Sequence, residues 1–161
     1  MTAETRRAAD DETRERREQG FLTLTVAGQL CGVPVLAVRD VIADSVVTRI
    51  PLAPPEIAGN INLRGRIVTA VDLRRRLSLA AAPSGSKLVA VVAEEAGGGY
   101  ALLVDQALEV LSLDLNDIET PPPTLGAGWL EFSTGIFRLP SRLMVVLDIG
   151  RLLYLESKAA A

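Results

Sequence analysis

The sequence predicts an all-β protein of two small five-stranded barrels packed together, with short helices. Two observations carry this. Short runs rich in β-branched and aliphatic residues recur along the chain, each bounded by Gly, Pro, Asn or Asp. A unit in the middle of the chain also returns near its end. Gly59, Leu63, Arg66, Asp72, Arg75 and Leu77 are matched by Gly135, Leu139, Arg142, Asp148, Arg151 and Leu153, at a constant spacing of 76 residues and without a gap. Ile61 with Phe137, Ile67 with Leu143 and Val71 with Leu147 fill positions between. One small β unit written twice accounts for this pattern.

Residues 1–20 carry dense charge of both signs and almost nothing to bury, so they read as a solvated, disordered tail. Phe21 to Val26 then reads as a strand, Ala27-Gly28-Gln29 as a turn, and Leu30 to Val35 as the returning strand, ended or pushed to an edge by Pro34. Leu36 to Ile42 fits a short helical turn as well as a strand. Val46 to Ile50 reads as a further strand. Pro51-Leu52-Ala53-Pro54-Pro55 is a rigid loop that cannot join a ladder. Ile57 to Leu63 and Arg66 to Val71 form a strand pair turning at Arg64-Gly65, and a short basic helix follows Asp72.

Residues 80–86 are small, uncharged and Pro/Gly/Ser-bearing, which suits a linker between halves 21–79 and 87–148. Leu88 to Ala93 is a strongly apolar strand, Gly97-Gly98-Gly99 a turn, and Tyr100 to Val104 the returning strand. Asp105 to Val110 mirrors Leu36 to Ile42. Leu111, Leu113 and Leu115 alternate with polar residues, as a half-buried strand does. Pro121-Pro122-Pro123 breaks the chain where Pro51 to Pro55 broke it before. The second copy of the unit follows, and 149–155 makes a terminal helix. Each barrel is too small to be comfortable alone, so an extensive apolar interface between them is expected.

Composition narrows the function. The 161 residues are 48% hydrophobic but only 4% aromatic, and the net charge is −3. Few aromatics leave no stacking platform for single-stranded nucleic acid, and the acidic balance does not suit a phosphate-backbone binder. There is no histidine, which removes the commonest general base and imidazole metal ligands. The single Cys31 permits no internal disulfide and fits a reducing compartment, and no apolar run reaches membrane-spanning length. No Gly-rich phosphate loop or metal-ligand cluster stands out, so neither cofactor nor metal is expected.

Asp72 and Asp148 read as helix N-caps rather than a catalytic pair. Arg74-Arg75-Arg76 reads as a solvated helix face. Arg64 is either an ordinary exposed turn residue or a placed recognition group, with Gly65 permitting the tight backbone beside it.

Pro55-Glu56-Ile57-Ala58-Gly59-Asn60-Ile61-Asn62-Leu63-Arg64-Gly65 resembles the signature of the CheW coupling proteins of bacterial chemotaxis. Val71-Asp72-Leu73-Arg74, Val38-Arg39-Asp40-Val41, Val47-Thr48-Arg49-Ile50-Pro51 and Val104-Asp105 extend the resemblance over 21–155. It implies two SH3-like barrels and a non-catalytic scaffold that bridges the cytoplasmic tip of a chemoreceptor to the regulatory domain of the histidine kinase CheA. It places the protein in the cytoplasm at receptor arrays, without nucleic acid or membrane insertion. An adaptor of the same fold in a pathway controlling pili or surface motility is the nearest alternative, and a nucleic-acid-binding tandem barrel is a more distant one. By position, the receptor would be met by Val38, Asp40, Arg64 and Leu88, in a groove between the barrels, with Asp40 and Arg64 as a potential pair. The kinase-facing residues leave no trace in the sequence.

Overall fold

The structure is a computed structural model that describes residues 16–95 and 98–154. In chain order its strands are β1 (Glu18–Val26), β2 (Gln29–Pro34), β3 (Val38–Ile42), β4 (Ile57–Leu63), β5 (Arg66–Asp72), β6 (Val89–Glu95), β7 (Gly98–Val104), β8 (Gln106–Asp114), β9 (Ser133–Arg138) and β10 (Leu143–Leu147). Three short helices accompany them: α1 (Leu73–Arg76), α2 (Ala127–Phe132) and α3 (Ile149–Leu152). Sheet one has the order β8-β1-β2-β10-β9, and sheet two the order β3-β6-β7-β5-β4. No helix among the described residues is long and apolar enough to cross a membrane.

The repeat is real in three dimensions. β4, β5 and α1 recur as β9, β10 and α3. Asp72 Oδ1 accepts from the Arg75 backbone N–H at 3.4 Å, and Asp148 Oδ1 accepts from that of Arg151 at 3.1 Å. Both acids are N-caps, as the sequence indicated. Thr48 exchanges two backbone hydrogen bonds with Asn60, and Glu119 exchanges two with Ile136, so each unit also receives one matching bridge.

The sheets are not assembled half by half, however. β5 runs parallel to β7, with Thr69 opposite Tyr100, and β10 runs parallel to β2, with Val145 opposite Cys31. Each half lends its first hairpin to the sheet of the other. Residues 80–86 hold no strand or helix, and they connect α1 to β6 within sheet two rather than one sheet to the other.

Two-sided burial explains why the strands read as continuous apolar runs. Val91, Ala93, Leu102 and Val104 of sheet two meet Leu22, Leu24, Val33, Val145 and Leu147 of sheet one. Their alternates Ala90, Val92, Ala101 and Leu103 pack with Ile61 and Val68 on the far face of sheet two. Phe21, Leu30, Phe137, Met144 and Val146 do the same for sheet one. The cluster shared by the sheets holds 20 buried residues, against 7 and 5 in the outer two, so the joint between sheets is the main core.

Several elements differ from expectation. β1 begins at Glu18, because Glu18 to Gly20 extend the ladder against β8; residues 1–15 lie outside the described residues. Leu36 to Ile42 is both readings in series, a 3₁₀ turn over Val35–Ala37 and then β3. Val46 to Ile50 forms no strand. Only Thr48 bridges, between Asp44 at φ +55° and Pro51, and Val46 and Ile50 stay exposed. Gly98 and Gly99 belong to β7, while Gly97 lies outside the described residues. Helix α2 was not expected; it buries Trp129 and Phe132 in the main core. The terminal helix is one turn, and position 155 lies outside the described residues.

Of the basic run 74–76, Arg75 is exposed as expected, while Arg74 and Arg76 turn inward. Arg74 Nη2 lies 2.9 Å from Asp105 Oδ2, and both side chains are mostly buried. That carboxylate also accepts from the Ala27 backbone N–H, so it ties α1 to the β1–β2 turn. Arg76 is buried. Its guanidinium donates to the carbonyls of Leu152, Arg151 and Tyr154 and lies over the Phe132 ring, 4.6 Å from its centre. The carbonyls a helix leaves unsatisfied at its C-terminus are met here by an arginine from the other copy of the unit.

Candidate functional site

Sheet two presents an open cleft lined by Arg39 and Asp40 of β3, Leu63 and Arg64 at the β4–β5 turn, and Arg66, Val68, Val92, Glu94 and Gly99. Alternation along the strands builds it. Val68 and Val92 belong to the apolar cluster on the far face of sheet two and give the cleft an apolar floor. Charged residues at the strand ends form its rim. Asp40 and Arg64, expected together, do line this cleft together. Asp40 lies on the edge strand β3, and Arg64 on the turn that leaves the opposite edge strand β4.

Their geometry is not that of a pair. Asp40 Oδ1 accepts from the Val41 backbone N–H at 2.8 Å. Among the described residues no ion pair joins Asp40 to Arg64, and Arg64 makes no ion pair or side-chain hydrogen bond. Arg64 is exposed at φ +50°, followed by Gly65 at φ +86°. Positive φ at both central positions of a two-residue loop is the type I′ hairpin turn. Asn62 Oδ1 accepts from the Gly65 backbone N–H and braces it. The strain of an arginine in the left-handed region is thus built into the rim of the cleft.

Val38 and Leu88 lie elsewhere. Val38 sits opposite Ala93 and packs half-buried on the core between the sheets. A bulge between Val38 and Asp40 separates the two registers. Leu88 packs on the far-face cluster of sheet two and lines a different groove, with Ile50, Leu52, Pro54 and Pro55. It precedes Val92 by four residues, about 13 Å along an extended chain. The cleft itself is formed by sheet two alone rather than lying between the sheets.

Sequence reasoning missed Arg39, Arg66, Glu94 and Gly99. Glu94 lies between two arginines, 3.7 Å from Arg39 Nε and 3.6 Å from Arg66 Nη2. Gly99 is the bare position beneath them; a Cβ there would stand 3.0 Å from Val68 Cγ1 and 3.7 Å from Arg66 Nη2. Arg66 recurs as Arg142 in the repeat, the one signal that could have drawn attention to it. Chemically the site is a charged rim over an apolar floor. It suits docking of an amphipathic surface, and it sets out no nucleophile beside a base. Cys31 lies in the main core, where burial pushes its thiol pKa up, so it is no candidate nucleophile.

Fold and site together have the form of an interaction module: two sheets joined by a common core, with an open, charge-rimmed cleft on one of them. The CheW-like domain model matches residues 20–157, and the chain belongs to that family. It is 31% identical over 141 residues to the chemotaxis protein CheW of Klebsiella aerogenes, covering 88% of this chain and 85% of the relative. The chemotaxis protein CheW of Rhizobium meliloti is 29% identical, with 88% and 91% covered. The crystal structure of the scaffolding protein TtCheW from Thermoanaerobacter tengcongensis superposes with a TM-score of 0.77 at 28% identity, covering 86% of this chain and 94% of that one.

Proposed function

We propose that this protein is a non-catalytic scaffold that couples the cytoplasmic tip of a chemoreceptor to the regulatory domain of a CheA-type kinase. The observation that carries the reading is the cleft of sheet two. Asp40 and Arg64, which has no ion-pair partner among the described residues, line one open, apolar-floored site from opposite sides of a sheet, in a chain of the CheW family. An amphipathic receptor helix laid in the cleft would rest on Val68 and Val92 and meet charge at both rims. Orientation would come from the charges and affinity from the apolar floor. Val38 would act from behind, by holding β3 on the core. Leu88 would extend the contact only if the helix continued to the neighbouring groove. Work at a receptor array places the protein on the cytoplasmic side of the membrane.

The test is sedimentation of the full chain with a receptor-tip hairpin fragment and a CheA regulatory domain from the same genome. Both partners are expected to bind at once. Arg64→Glu should weaken the receptor arm roughly tenfold or more, equivalent to about 1.4 kcal/mol, and leave the kinase arm unchanged. Binding to neither partner by the wild-type chain would refute the reading.

A further inference from the structure

We propose that Arg39, Arg64 and Arg66 form a notch that reads a carboxylate on the docking helix, and that Glu94 occupies the notch in the free protein as a stand-in for it. The inference rests on the receptor reading above and specifies what that site recognises.

The notch carries three arginines against two acids, Asp40 and Glu94, a local positive excess in a chain of net charge −3. Its Glu94 is shared. One carboxylate oxygen faces Arg39 and the other Arg66, at 3.7 and 3.6 Å. Charge-assisted hydrogen bonds of this type close to about 2.7–2.9 Å when fully formed. Neither guanidinium is therefore saturated, and each still has several of its five N–H donors to offer. All three side chains are well exposed, at 61% for Arg39, 71% for Arg66 and 40% for Glu94. Exposed pairs of this geometry contribute little to stability, so an incoming acid can displace Glu94 at small cost. Arg64, without a partner among the described residues, stands at the same rim.

Gly99 makes the arrangement sterically feasible. Arg66 on β5 reaches Glu94 on β6 by crossing β7, which lies between them. It crosses at Gly99, which pairs with Glu94 and has no side chain. A larger residue would push against Val68 and lift Arg66 out of the notch. The occupant is thus an acidic side chain on an otherwise apolar helical face, planar enough to accept two guanidinium donors at once.

The experiment is calorimetry of the full chain with the receptor-tip hairpin fragment, and with the same fragment after its surface carboxylates are changed to amides. Glu94→Gln should bind the unaltered fragment about two- to fivefold more tightly, the scale of one released surface pair. Arg39→Gln and Arg66→Gln should each bind it more weakly, and the gain from Glu94→Gln should vanish with the amide fragment. Wild-type binding with no gain in Glu94→Gln, or a gain that persists with the amide fragment, would overturn the notch and leave the receptor reading in place. Failure of the wild-type chain to bind the fragment at all would overturn both.

Discussion

Replacing Arg64 with asparagine should stabilise the fold while weakening the receptor interaction. Arg64 holds φ +50° at the first central position of the β4–β5 turn, with Gly65 at φ +86° behind it. An L-residue in the left-handed region costs roughly 1–2 kcal/mol, and asparagine recovers much of that through local hydrogen bonding, which is why Asn-Gly is favoured in this turn. Among the described residues the arginine side chain has no ion pair or side-chain hydrogen bond to set against the cost. The expected net gain is about 0.5–1 kcal/mol, which raises the thermal midpoint of a chain this size by about 1–4 °C. Arg64→Gly provides a control. It relieves the same strain but frees the unfolded chain by about 0.4–1 kcal/mol, so it should fall between wild type and Arg64→Asn. Thermal and urea unfolding followed by circular dichroism measure the order directly. A lower midpoint for Arg64→Asn would refute the strain argument and make Arg64 a stabilising residue. A higher midpoint with unchanged receptor affinity would retain the strain and refute its purpose.

Arg76→Leu should cost about 3 kcal/mol or more, because three carbonyls at the end of α3 lose a charged donor; a midpoint fall of about 6–12 °C would record it, and Arg76→Lys should recover only part. Gly59→Ala should destabilise by about 2–4 kcal/mol, since its φ is +151° and a Cβ would collide with the Thr48 carbonyl. Gly135→Ala should cost clearly less in the same urea titration, because the nearest atoms are those of the Ile118 side chain, which can rotate away. Cys31 should resist maleimide at neutral pH and label rapidly in concentrated urea. The folded state keeps the thiol protonated because burial raises its pKa, while an unfolded thiol ionises near pH 8.5. Its contribution to stability is therefore full below about pH 8.5 and declines as pH rises beyond it, a decline that Cys31→Ala should lack.

Local chemistry made most of the strands legible. Hairpin turns, proline breaks and the capping acids Asp72 and Asp148 act over a few residues, so their spacing alone reports them. The repeat was legible for the same reason, since it preserves Gly59, Asp72 and Arg75 in order. Long-range consequences were not. Arg76 sits in a run of three arginines that looks solvated, and its burial depends on carbonyls 75 to 78 residues away. Gly99 reads as part of a turn because a glycine run gives no hint that a neighbouring arginine must pass over it. Asp40 and Arg64 were brought to one site by family resemblance; no local pattern places β3 and β4 at opposite edges of one sheet. Val38 and Leu88, taken with them, face the core and a separate groove.

Exchange of hairpins between halves has a consequence for how the chain folds. Among the described residues β3 pairs with β6 alone, and the β4–β5 hairpin joins its sheet through β7 alone. Residues 1–82 by themselves therefore retain two hairpins, β1–β2 and β4–β5, and leave β3 without a neighbour. Isolated hairpins are at best marginal in water. The complementary piece, 83–161, keeps β6–β7 and β9–β10 but strands β8, whose partner is β1. Neither piece can form the joint between sheets, which holds most of the buried side chains. Each should lack a cooperative unfolding transition alone, and an equimolar mixture should regain both the β-sheet spectrum and cooperativity. A single half that unfolds cooperatively would show that a barrel can close on its own strands, and the exchange would then be a late docking step. If only the mixture folds, the duplicated unit is bound to its copy from the start, and the cleft of sheet two exists only once the second half has delivered Glu94 and Gly99.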